Sequence, residues 1–475
     1  MTAPPMTAPR ICHAEYMPGT VSQDAHVPVV IVGGGACGLT AALMLHDAGV
    51  DCAVLERDAT PTGSSALSSG FIPAPGTQVQ RAAGIDDSPA RFAADITAKA
   101  KGRAAPHLVQ AYAQAIGPAL DALQLRHGLE WQVLDGFLYP GHSVRRMHAT
   151  PEKTGAGLMG RLANAVAAAD IPMVTDATVR ELWINAGQRV IGVGYERPNG
   201  TVEHLACDAL VLACNGFGGN ATMVRELLPE MRDALFAGHT GNDGSAIAWG
   251  RAMGARLADL GGYQGHGSWA VPQGALISWA LMMEGGIQVN ALGERFHDET
   301  QGYSEASVHV LAQPGGVAWN VFDAPILALA RTFPDFADAE AAGAVKHCDS
   351  VQALAVVIGC QESNLIATTA SLTSASGQKN HKSAENRVFQ RPLQPPFYAV
   401  KVTGALFHTQ GGLDIDAQCR VLGADGEPFP NLLAAGGAAR GVSGDAVWGY
   451  LSGNGLLSAV AGGYIAAHTA AELAR

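Results

Sequence analysis

The spacing of three glycines near the start of the chain constrains its fold more than any other feature. Gly33, Gly35 and Gly38 follow a short apolar run, residues 27–32, and precede a helical pattern. A second apolar run then ends at Glu56. A strand, a glycine turn, a helix and a second strand within about 30 residues are the setting of a dinucleotide fingerprint. The chain therefore predicts an α/β fold that opens with a nucleotide-binding βαβ unit.

Each residue type in this motif has a chemical role. The glycines let the chain turn tightly and bring backbone N–H groups to a pyrophosphate, whose charge the helix N-terminus favours. Glu56 lies 18 residues after the last glycine, where its carboxylate would accept hydrogen bonds from ribose hydroxyl groups. The same carboxylate would repel a 2′-phosphate, which disfavours NADP. A glycine turn in an ordinary α/β domain is the alternative interpretation.

The rest of the pattern divides the chain into a discontinuous cofactor domain and an insertion. Strand and helix signals are regular at first, become irregular and rich in Gly and aromatic residues, and return near the end. We therefore predict a Rossmann-like domain made of residues 27–254 and 397–475, with an inserted α+β substrate or capping domain over 255–396. Residues 1–26, rich in Pro, Ala and Thr, predict a disordered tail.

Local signals refine the first part of this domain. Residues 88–129 are helical in pattern, and residues 178–195 and 201–205 alternate like paired strands. Pro198-Asn199-Gly200 is the predicted turn between those strands. Residues 209–213 predict a separate, fully apolar strand.

Composition excludes several classes of function. The net charge of −12 and the absence of basic clusters argue against a nucleic-acid partner. No window reaches ~18 uninterrupted apolar residues, and the first segment lacks the apolar stretch of a secretory signal, so no membrane span is expected. The eight cysteines include no C-x-x-C pair, which removes the obvious zinc, redox-disulfide and c-type haem sites. We expect no metal site and a cytoplasmic location.

Two observations favour FAD over NAD as the nucleotide. No second complete fingerprint follows the first, so a separate nicotinamide domain is not predicted. Further glycine clusters at Gly216–Gly219 and Gly436–Gly437 suit the long contact surface of FAD. The discontinuous domain is therefore predicted to bind FAD.

Several segments resemble the fumarate reductase/succinate dehydrogenase flavoprotein family and keep its order along nearly the whole chain. Besides the glycine loop, they are 64–70 (SSALSSG), 212–220 (LACNGFGGN), 240–244 (TGNDG), 293–299 (GERFHDE), 409–413 (TQGGL) and 450–455 (YLSGNG). The resemblance implies an FAD-dependent oxidoreductase acting on CH–CH groups. Members with covalent flavin carry a histidine in the first of these segments. Because 64–70 has none, the resemblance implies non-covalent FAD.

The motif and the resemblance together give a set of residues expected to contact FAD along its length. They are Gly33, Gly35, Ala36, Cys37, Gly38, Glu56, Arg57, Ser64, Ser65, Ser69, Gly70, Val179, Cys214, Asn215, Gly216, Asp243, Gly437, Asn454, Leu456 and Leu457.

The expected substrate site departs from the reductases at three positions. Fumarate reductases need cations to bind two carboxylates and deliver a proton. At the matching positions this chain has Phe407 for a histidine, and Tyr450 and Tyr303 for two arginines. A histidine follows one place later, at His408, and only His266 keeps the reductase residue. A dicarboxylate substrate is therefore not expected.

Two tyrosines in place of two arginines resemble another branch, the 3-ketosteroid Δ1-dehydrogenases and relatives that desaturate cyclic ketones. By that resemblance, Tyr450 and a backbone N–H near Gly453 would polarise the ketone. Tyr303 would remove a proton from the neighbouring carbon, and the flavin N5 would accept a hydride. His266 completes the predicted catalytic set.

Tyr303 needs help from its surroundings to act as a base. An unperturbed tyrosine has a pKa of ~10 and is a poor base at neutral pH. A helix N-terminus, a cation or a second phenol would lower that pKa, and Tyr139 and His266 are candidates. Glu299 would work against it unless it pairs with Arg295.

Aromatic residues are expected to line a pocket for an apolar ring. The predicted pocket residues are Phe407, His408, Tyr139 and Trp448, with Trp269 as a further aromatic. Core packing is the competing interpretation for these rings. Arg145 and Arg146 are interpreted as a solvated pair, with a carboxylate anchor as the alternative. The expected partner is a cyclic ketone, either a ketosteroid or a smaller ring such as cyclohexanone or an oxocyclohexanecarboxylate.

Two other functions stay open at this point. One is an enoate or dicarboxylate reductase like the fumarate reductases. The other is a flavin-binding subunit that transfers electrons to a partner without turnover of its own. The sequence leaves the electron acceptor open among oxygen, a quinone and an electron-transfer protein.

Overall fold

Two structural units divide the chain in a computed structural model that describes residues 8–17, 26–136, 138–372, 387, 389 and 391–475. Unit 1 comprises Met1–Leu227, Gly238–Tyr263 and His408–Arg475. Unit 2 comprises Leu228–Ala237 and Gln264–Phe407.

The described residues form strands and helices in mixed order. The strands are β1 (Arg10–His13), β2 (His26–Val32), β3 (Cys52–Leu55), β4 (Ile72–Pro73), β5 (Gln132–Val133), β6 (Met147–Ala149), β7 (Met173–Val174), β8 (Thr178–Ile184), β9 (Val190–Glu196), β10 (Val202–Leu212), β11 (Leu235–Phe236), β12 (Leu257–Ala258), β13 (Tyr263–Ala270), β14 (Ala275–Leu276), β15 (Ile287–Val289), β16 (Val317–Asp323), β17 (Val345–Cys348), β18 (Phe397–Thr409), β19 (Gly412–Leu413), β20 (Arg420–Leu422) and β21 (Pro428–Ala434). The helices are α1 (Ala36–Asp47), α2 (Gly63–Ala66), α3 (Gln78–Ala82), α4 (Pro89–Lys99), α5 (Pro106–His127), α6 (Gly155–Ala168), α7 (Ala221–Leu227), α8 (Ser245–Met253), α9 (Ala280–Met283), α10 (Tyr303–Leu311), α11 (Ala324–Ala330), α12 (Pro334–Ala341), α13 (Val351–Ile358), α14 (Glu362–Ser371) and α15 (Asn454–Leu473).

The main sheet of unit 1 has the strand order β1-β8-β9-β10-β2-β3-β7, with β21 beside β10 and β20 beside β21. Strand β2 pairs in parallel with β10 and β3, and β21 also runs parallel to β10. The apolar residues of β2, β3 and the second half of β10 are buried, as expected for parallel strands covered on both faces. This α/β arrangement confirms the predicted fold class.

The register of these strands brings four loops to one edge of the sheet. Leu212 pairs with Val32 and with Ala434, and Val32 pairs with Leu55. The chain therefore leaves β10, β2, β21 and β3 at the same level. In open α/β sheets, ligands bind at the carboxyl ends of parallel strands. The glycine loop, Glu56 and the glycine clusters after β10 and β21 follow these strand ends.

Helices α1 and α15 pack closely in unit 1 because their contact surface is built from small residues. A Cβ at Gly463 would lie only 2.4 Å from the carbonyl oxygen of Cys37. A larger side chain at that position would therefore push the two helices apart.

Unit 2 contains a second sheet with the order β14-β13-β18-β16-β15, in which β11 and β17 also pair with β18. The pairs β15–β16, β16–β18 and β17–β18 are antiparallel. Helices α9 to α14 belong to the same unit, and their apolar residues share one buried core with the sheet. Unit 2 therefore has an α+β architecture.

The first part of the predicted tail differs from expectation. Arg10–His13 forms β1 and pairs in parallel with β8. Ile11 packs on the core and Arg10 forms an ion pair with Glu181, and these contacts hold the segment in place. Residues 1–7 and 18–25 of that predicted tail lie outside the described residues.

Two strand boundaries and the insertion also differ from the prediction. The alternating run 178–195 forms two strands, β8 and β9, because Asn185 accepts hydrogen bonds from Gly187 and Arg189 in a turn. The predicted strand 209–213 is the end of the longer β10. Unit 2 takes in the short segment Leu228–Ala237, and its long segment, Gln264–Phe407, starts and ends later than 255–396, because β12 pairs with β19 inside unit 1 and β18 runs without a break.

Within the ranges given above, no helix combines the length and the apolar character that a membrane crossing requires.

Candidate active site

The glycine loop joins β2 to α1, and two of its glycines, Gly33 and Gly38, leave no space for a side chain. Gly33 has a φ of +108°, and a Cβ there would lie 2.6 Å from the Ala213 carbonyl oxygen. A Cβ at Gly38 would lie 1.9 Å from the Gly33 carbonyl oxygen. At Gly35, which caps α1, a Cβ would meet only the Ser65 Oγ, at 3.7 Å. The helix start therefore has room for a phosphate, whose negative charge it favours.

The segment 64–70 lies beside this helix start. The Ala36 N–H donates to Ser65 Oγ at 3.2 Å. Gly70 has a φ of +72°, and a Cβ there would lie 2.6 Å from the Thr154 carbonyl oxygen. Ser69 is half-buried next to it. The segment 64–70 is thus held beside Ala36, and the contacts of these residues with FAD stay a prediction.

Cys37 and Cys214 contribute packing rather than acid–base chemistry to this edge. Burial raises the pKa of both thiols to about 12, so they stay protonated. They are neutral groups next to the predicted phosphate position.

Glu56 follows β3, and its carboxylate is buried. One oxygen accepts from the Gly34 N–H at 2.6 Å and the other from the Asp58 N–H at 2.9 Å. Burial raises the pKa of this carboxyl. Each oxygen keeps a further lone pair for a hydroxyl donor, which fits a ribose ring.

A second group of predicted cofactor residues surrounds the start of α8. Arg57 Nη1 donates to the Gly241 carbonyl at 2.7 Å and lies 3.5 Å from Asp243 Oδ2. Asp243 also accepts from Arg180 at 3.2 Å, and Val179 precedes that arginine in β8. Arg57, Val179 and Asp243 are therefore gathered on one side of the sheet.

Ser64 belongs to the same group through two hydrogen bonds. Its Oγ accepts from the His239 N–H at 3.0 Å and from Asn242 Nδ2 at 2.8 Å. This serine ties the segment 64–70 to the loop before α8.

The loop after β10 meets the loop after β21. Asn215 has a φ of +63°, and its Oδ1 accepts from the Gly216 N–H at 2.8 Å. A Cβ at Gly437 would lie 2.0 Å from Asn215 Oδ1, and a Cβ at Gly216 would lie 2.0 Å from Thr409 Oγ1. Only glycine fits at these two positions, which brings Asn215, Gly216 and Gly437 together.

The first turn of α15 carries Asn454, Leu456 and Leu457, and all three are buried. Gly453 caps the helix with a φ of +88°, and a Cβ there would lie 2.6 Å from Pro73 Cδ. Asn454 Oδ1 is buried and has no protein partner within the described residues. An unsatisfied buried acceptor at a helix start indicates a position for a donor group of a ligand.

Tyr450 precedes this helix, and its side chain is buried. Its Oη accepts from the Gly455 N–H at 3.4 Å. The His408 ring lies 5.6 Å from the Tyr450 ring, and a Cβ at Gly455 would lie 2.5 Å from His408 Nε2. The backbone donor beside the phenol is therefore Gly455, two residues after Gly453, whose role in the structure is to cap α15.

The loop that carries Tyr139 packs on the segment that carries Tyr450. A Cβ at Gly141 would lie 2.7 Å from Leu451 Cδ1, and His142 Nε2 donates to the Ser452 carbonyl at 2.9 Å. Tyr139 itself has an edge contact with Phe71, 6.2 Å between ring centroids.

Trp448, a predicted pocket residue, has a cationic neighbour. Lys101 Nζ lies 4.3 Å from the centroid of its ring, in a cation–π contact. This contact links the ring to the segment that follows α4, and its place in a substrate pocket stays a prediction.

The interpretation of Arg146 as a solvated residue is wrong. Its side chain is fully buried, forms an ion pair with Asp87 at 2.8 Å and another with Asp95, and lies over the Phe92 ring. The structure thus uses this arginine inside the core, because two carboxylates neutralise it there. Arg145 is exposed.

In unit 2, Tyr303 is the first residue of α10, and its ring stacks on His266. The two ring centroids are 4.8 Å apart with 20° between the planes. Burial lowers the pKa of His266 to about 3, so its imidazole is neutral. The Ser268 N–H donates to His266 Nδ1 at 3.1 Å, which leaves the proton on Nε2. His266 is therefore a neutral donor beside the predicted base.

Phe407 and two tryptophans extend this aromatic group. The Phe407 ring lies 5.6 Å from His266 and 5.6 Å from Trp269, while Trp279 contacts His266 at 5.9 Å. These rings meet in one place, and the role of Phe407 in a pocket that accepts an apolar ring stays a prediction.

Glu299, four residues before Tyr303, is neutralised by two arginines. It pairs with Arg295 at 2.5 Å and with Arg387 at 3.2 Å, and its side chain is fully buried. Burial alone would raise the pKa of Glu299, but the two guanidinium groups outweigh it and lower that pKa. The predicted pairing with Arg295 is present, and Arg387 was not predicted.

The sequence interpretation did not single out three residues near Tyr450. Gly455 was available from the motif Tyr450-Leu451-Ser452-Gly453-Asn454-Gly455, and Gln410 stands inside another matched segment. Ser443 carries no signal in the sequence, because only the fold brings it within 2.8 Å of Gln410.

The chain matches the FAD binding domain family over residues 28–456 and therefore belongs to that family. It is an FAD-dependent oxidoreductase, and the predicted family and cofactor are confirmed. The helix start at Gly35, the Glu56 carboxylate and the unsatisfied Asn454 Oδ1 fit this cofactor. Non-covalent attachment is still a prediction, which release of free flavin on acid precipitation would test.

Individual relatives include both reductases and a dehydrogenase. NADH:fumarate oxidoreductase of Klebsiella pneumoniae (strain 342) is 28% identical over 451 residues, which cover 94% of this chain and 48% of that protein. The chain thus spans about half the length of that relative. The 4-oxocyclohexanecarboxylate 2-dehydrogenase of Sinomonas cyclohexanicum is 27% identical over an alignment of 570 residues, covering 97% of this chain and 98% of that protein.

Solved structures agree with this family. The open conformation of a flavocytochrome c3 fumarate reductase has a TM-score of 0.80 and 26% identity, covering 95% of this chain and 79% of that chain. The 3-ketosteroid-Δ4-(5α)-dehydrogenase from Rhodococcus jostii RHA1 has a TM-score of 0.75 at 24% identity, covering 98% of this chain and 100% of that chain. At this identity the second similarity shows the fold alone.

Proposed function

We propose that this chain is a dehydrogenase that introduces a C=C bond beside the ketone of a cyclic substrate. The observation that carries the proposal is the pairing of the Tyr450 phenol with the Gly455 N–H, 3.4 Å apart at the start of α15. Two neutral donors at a helix start suit a carbonyl oxygen on which negative charge develops. A carboxylate substrate would instead call for guanidinium or ammonium groups.

The first chemical step depends on stabilising an enolate. A proton next to a ketone becomes removable when the oxygen receives hydrogen bonds that strengthen as charge builds up. In the proposal, Tyr450 donates its O–H to that oxygen. The Gly455 N–H, which reaches the phenol oxygen only at 3.4 Å, turns from it to the developing charge. This assignment replaces Gly453 as the backbone donor and keeps Tyr450 in the role that the sequence predicts.

Tyr303 takes the proton in this proposal. It opens α10, where the partial positive charge of a helix N-terminus favours a phenolate over a phenol. Glu299 does not oppose that ionisation, since Arg295 and Arg387 neutralise it. Neutral His266 stacks on the phenol ring and holds its orientation.

FAD supplies the oxidising half of the reaction, because bound flavin accepts a hydride from the carbon next to the deprotonated one. The α-proton leaves to Tyr303, two electrons leave with the hydride, and the ring gains one double bond conjugated with its ketone. The aromatic group around Phe407 suits the apolar face of such a ring.

The relative from Sinomonas cyclohexanicum supports a small ring as substrate. Its name describes dehydrogenation of 4-oxocyclohexanecarboxylate, and the similarity covers almost the whole of both chains. We propose a cyclohexanone-like ring in preference to a ketosteroid, with oxygen, a quinone or an electron-transfer protein as the final acceptor.

An enoate or dicarboxylate reductase is the second candidate, favoured by the fumarate reductase names of several relatives. It needs cations at the substrate. Arg295 and Arg387 in unit 2 are already engaged with Glu299.

Anaerobic titration of the flavin-loaded protein separates the two candidates. The titrants are cyclohexanone, 4-oxocyclohexanecarboxylate, a 3-ketosteroid and, as the dicarboxylate control, succinate. We expect the flavin absorbance to bleach with at least one cyclic ketone and to stay unchanged with succinate. Turnover of fumarate with reduced viologen, together with no bleaching by any ketone, would refute the proposed function.

A further inference from the structure

His408 lies next to the proposed carbonyl site, where it contacts residues more than 40 positions away in the sequence. Its Nε2 faces the backbone of Gly455, where a Cβ would lie 2.5 Å away, and its ring meets the Tyr450 ring edge-on. The absence of a side chain at Gly455 is what lets the imidazole approach. Nε2 of His408, the Tyr450 phenol and the Gly455 N–H therefore converge within unit 1.

A buried chain of hydrogen bonds leads to the opposite nitrogen of this imidazole. Asn454 Nδ2 donates to Ser443 Oγ at 2.9 Å, and Ser443 Oγ donates to Gln410 Oε1 at 2.8 Å. Gln410 Nε2 lies 3.2 Å from His408 Nδ1. The side chains of Asn454, Ser443 and Gln410 are almost completely buried, at 0%, 0% and 3% exposure. Such a chain holds its members in fixed orientations.

The direction of this chain sets the tautomer of His408. The Gln410 amide oxygen is occupied by Ser443, so the amide N–H faces His408 Nδ1 and needs an acceptor. The Gln410 N–H at 3.2 Å calls for a lone pair on Nδ1, whereas the Thr409 carbonyl at 3.3 Å would call for a proton there, and we assign the first arrangement. Burial lowers the pKa of His408 to about 4, so the ring is neutral and carries its only proton on Nε2.

We propose that His408 donates its Nε2–H to the same carbonyl oxygen as Tyr450 and Gly455, and that Gln410 is the residue that positions it. This inference rests on the proposed function and sharpens its substrate class. Three neutral donors stabilise an oxygen that is uncharged in the substrate and becomes charged during reaction. The site therefore selects a ketone over a carboxylate, which arrives already charged and favours cations.

The test compares three variants with one matched control. His408→Phe keeps a ring and removes the donor, and His408→Gln restores an N–H at a similar reach. Gln410→Met keeps His408 and removes its positioning bond together with the acceptor of Ser443. His107→Phe is the control, because His107 in α5 bonds to the Ile415 carbonyl and is not a member of the chain that holds His408. The readouts are kcat and KM with the ketone that bleaches the flavin, and equilibrium binding of 4-nitrophenol. The phenolate of this probe imitates the enolate oxygen and is detected by its own absorbance.

We expect His408→Phe to lower kcat about 100-fold at nearly unchanged KM, since the lost bond forms fully only in the transition state. Binding of 4-nitrophenolate should weaken about 10- to 100-fold, as for one lost hydrogen bond to a charged group. His408→Gln should recover at least about half of the loss in log kcat, which means that its kcat should be at most about tenfold below that of the wild type. Gln410→Met should lower kcat about tenfold, because a second tautomer becomes accessible.

Two results would overturn this inference. One is a His408→Phe enzyme that matches the wild type in kcat and in phenolate binding, or that loses no more than His107→Phe. The other is an unchanged phenolate affinity together with a shifted flavin potential, which would place the His408 donor on the cofactor. In both cases bleaching of the wild type by ketones would leave the proposed function standing. If no ketone bleaches the wild type, the proposed function fails, and phenolate binding still decides the role of His408.

Discussion

Tyr450 in unit 1 and Tyr303 in unit 2 both stand next to the start of a helix, but their neighbours differ in kind. Tyr450 is buried beside backbone and side-chain donors, with the Gly455 N–H and the His408 imidazole as neighbours. Tyr303 is packed by rings, with His266 stacked at 4.8 Å. The first setting suits a phenol that donates to an oxygen. The second suits a phenol that receives a proton from carbon, since aromatic walls accept an apolar ring.

The difference shows that a tyrosine in place of an arginine does not define a role by itself. Both replacements look alike in sequence, because each removes a cation. Their surroundings differ. Near Tyr450, a chain of hydrogen bonds ends at His408. Near Tyr303, the histidine is neutral and Glu299 is neutralised by arginine. The predictions below test this contrast, beginning with the largest expected effect.

Tyr303→Phe should abolish proton abstraction. General base catalysis contributes about 10²- to 10⁴-fold, and we expect a loss of flavin-reduction rate near the upper end of that range. Stopped-flow bleaching by the active ketone measures it, with ketone binding unchanged. Tyr398→Phe is the matched control, because Tyr398 stacks on Phe322 in the same unit. Equal rates for Tyr303→Phe and the wild type would remove Tyr303 from the chemistry.

Glu299→Gln tests whether the carboxylate near Tyr303 is held by its two arginines. Loss of one partner from a buried ion pair costs about 3–5 kcal/mol, because uncompensated charge stays buried. Urea unfolding should show this loss of stability. The control is Glu340→Gln, which breaks the partly exposed pair with Arg331 and should cost about 0–1 kcal/mol. Similar costs for the two variants would contradict the buried triad.

Tyr450→Phe should remove one donor from the developing enolate. We expect kcat to fall about 10²- to 10³-fold with little change in KM, as for loss of an oxyanion donor. Tyr464→Phe, in the middle of α15, serves as the control because its ring contacts only His468 among the ring pairs of that helix. A rise in KM with kcat retained would instead indicate that Tyr450 merely binds the substrate.

His266→Phe should reduce the acid sensitivity of folding. The folded-state pKa of His266 lies at about 3, below that of an unfolded histidine, so the unfolded state binds the proton first as pH falls. The contribution of neutral His266 to the free energy of unfolding is fully present above pH ~6.5 and is lost progressively toward pH ~3. Between these two pH values, the free energy of unfolding should fall less steeply for the variant than for the wild type, by up to about 1.4 kcal/mol per pH unit. Parallel stability curves for the two proteins would show that His266 is not buried in its neutral form.

The cofactor edge could be predicted from sequence because its determinants are local. The glycine spacing, the acid at the end of β3 and the glycine pairs after β10 and β21 each reflect a turn or a close approach within a few residues. The parallel register then brings them to one edge without further information.

The surroundings of the two tyrosines, each in its own unit, were less accessible to sequence because their contacts are long-range. Ser443 joins Gln410 and Asn454 only through the fold, and Arg387 reaches Glu299 from 88 residues away. Arg146 was misjudged for the same reason, since Asp87 and Asp95 are too distant in sequence to suggest a buried pair. The contact between Lys101 and the Trp448 ring joins two segments that are far apart in the chain, so the sequence carries no signal for it.

Product analysis after a single anaerobic turnover tests the central claim most directly. The flavin-loaded wild type is mixed with an excess of 4-oxocyclohexanecarboxylate, and the organic products are identified by NMR and compared with the amount of flavin reduced. We predict one equivalent of a ring with a new double bond conjugated to the ketone for each flavin bleached. Unchanged ketone beside fully oxidised flavin, with succinate converted to fumarate in its place, would contradict the account.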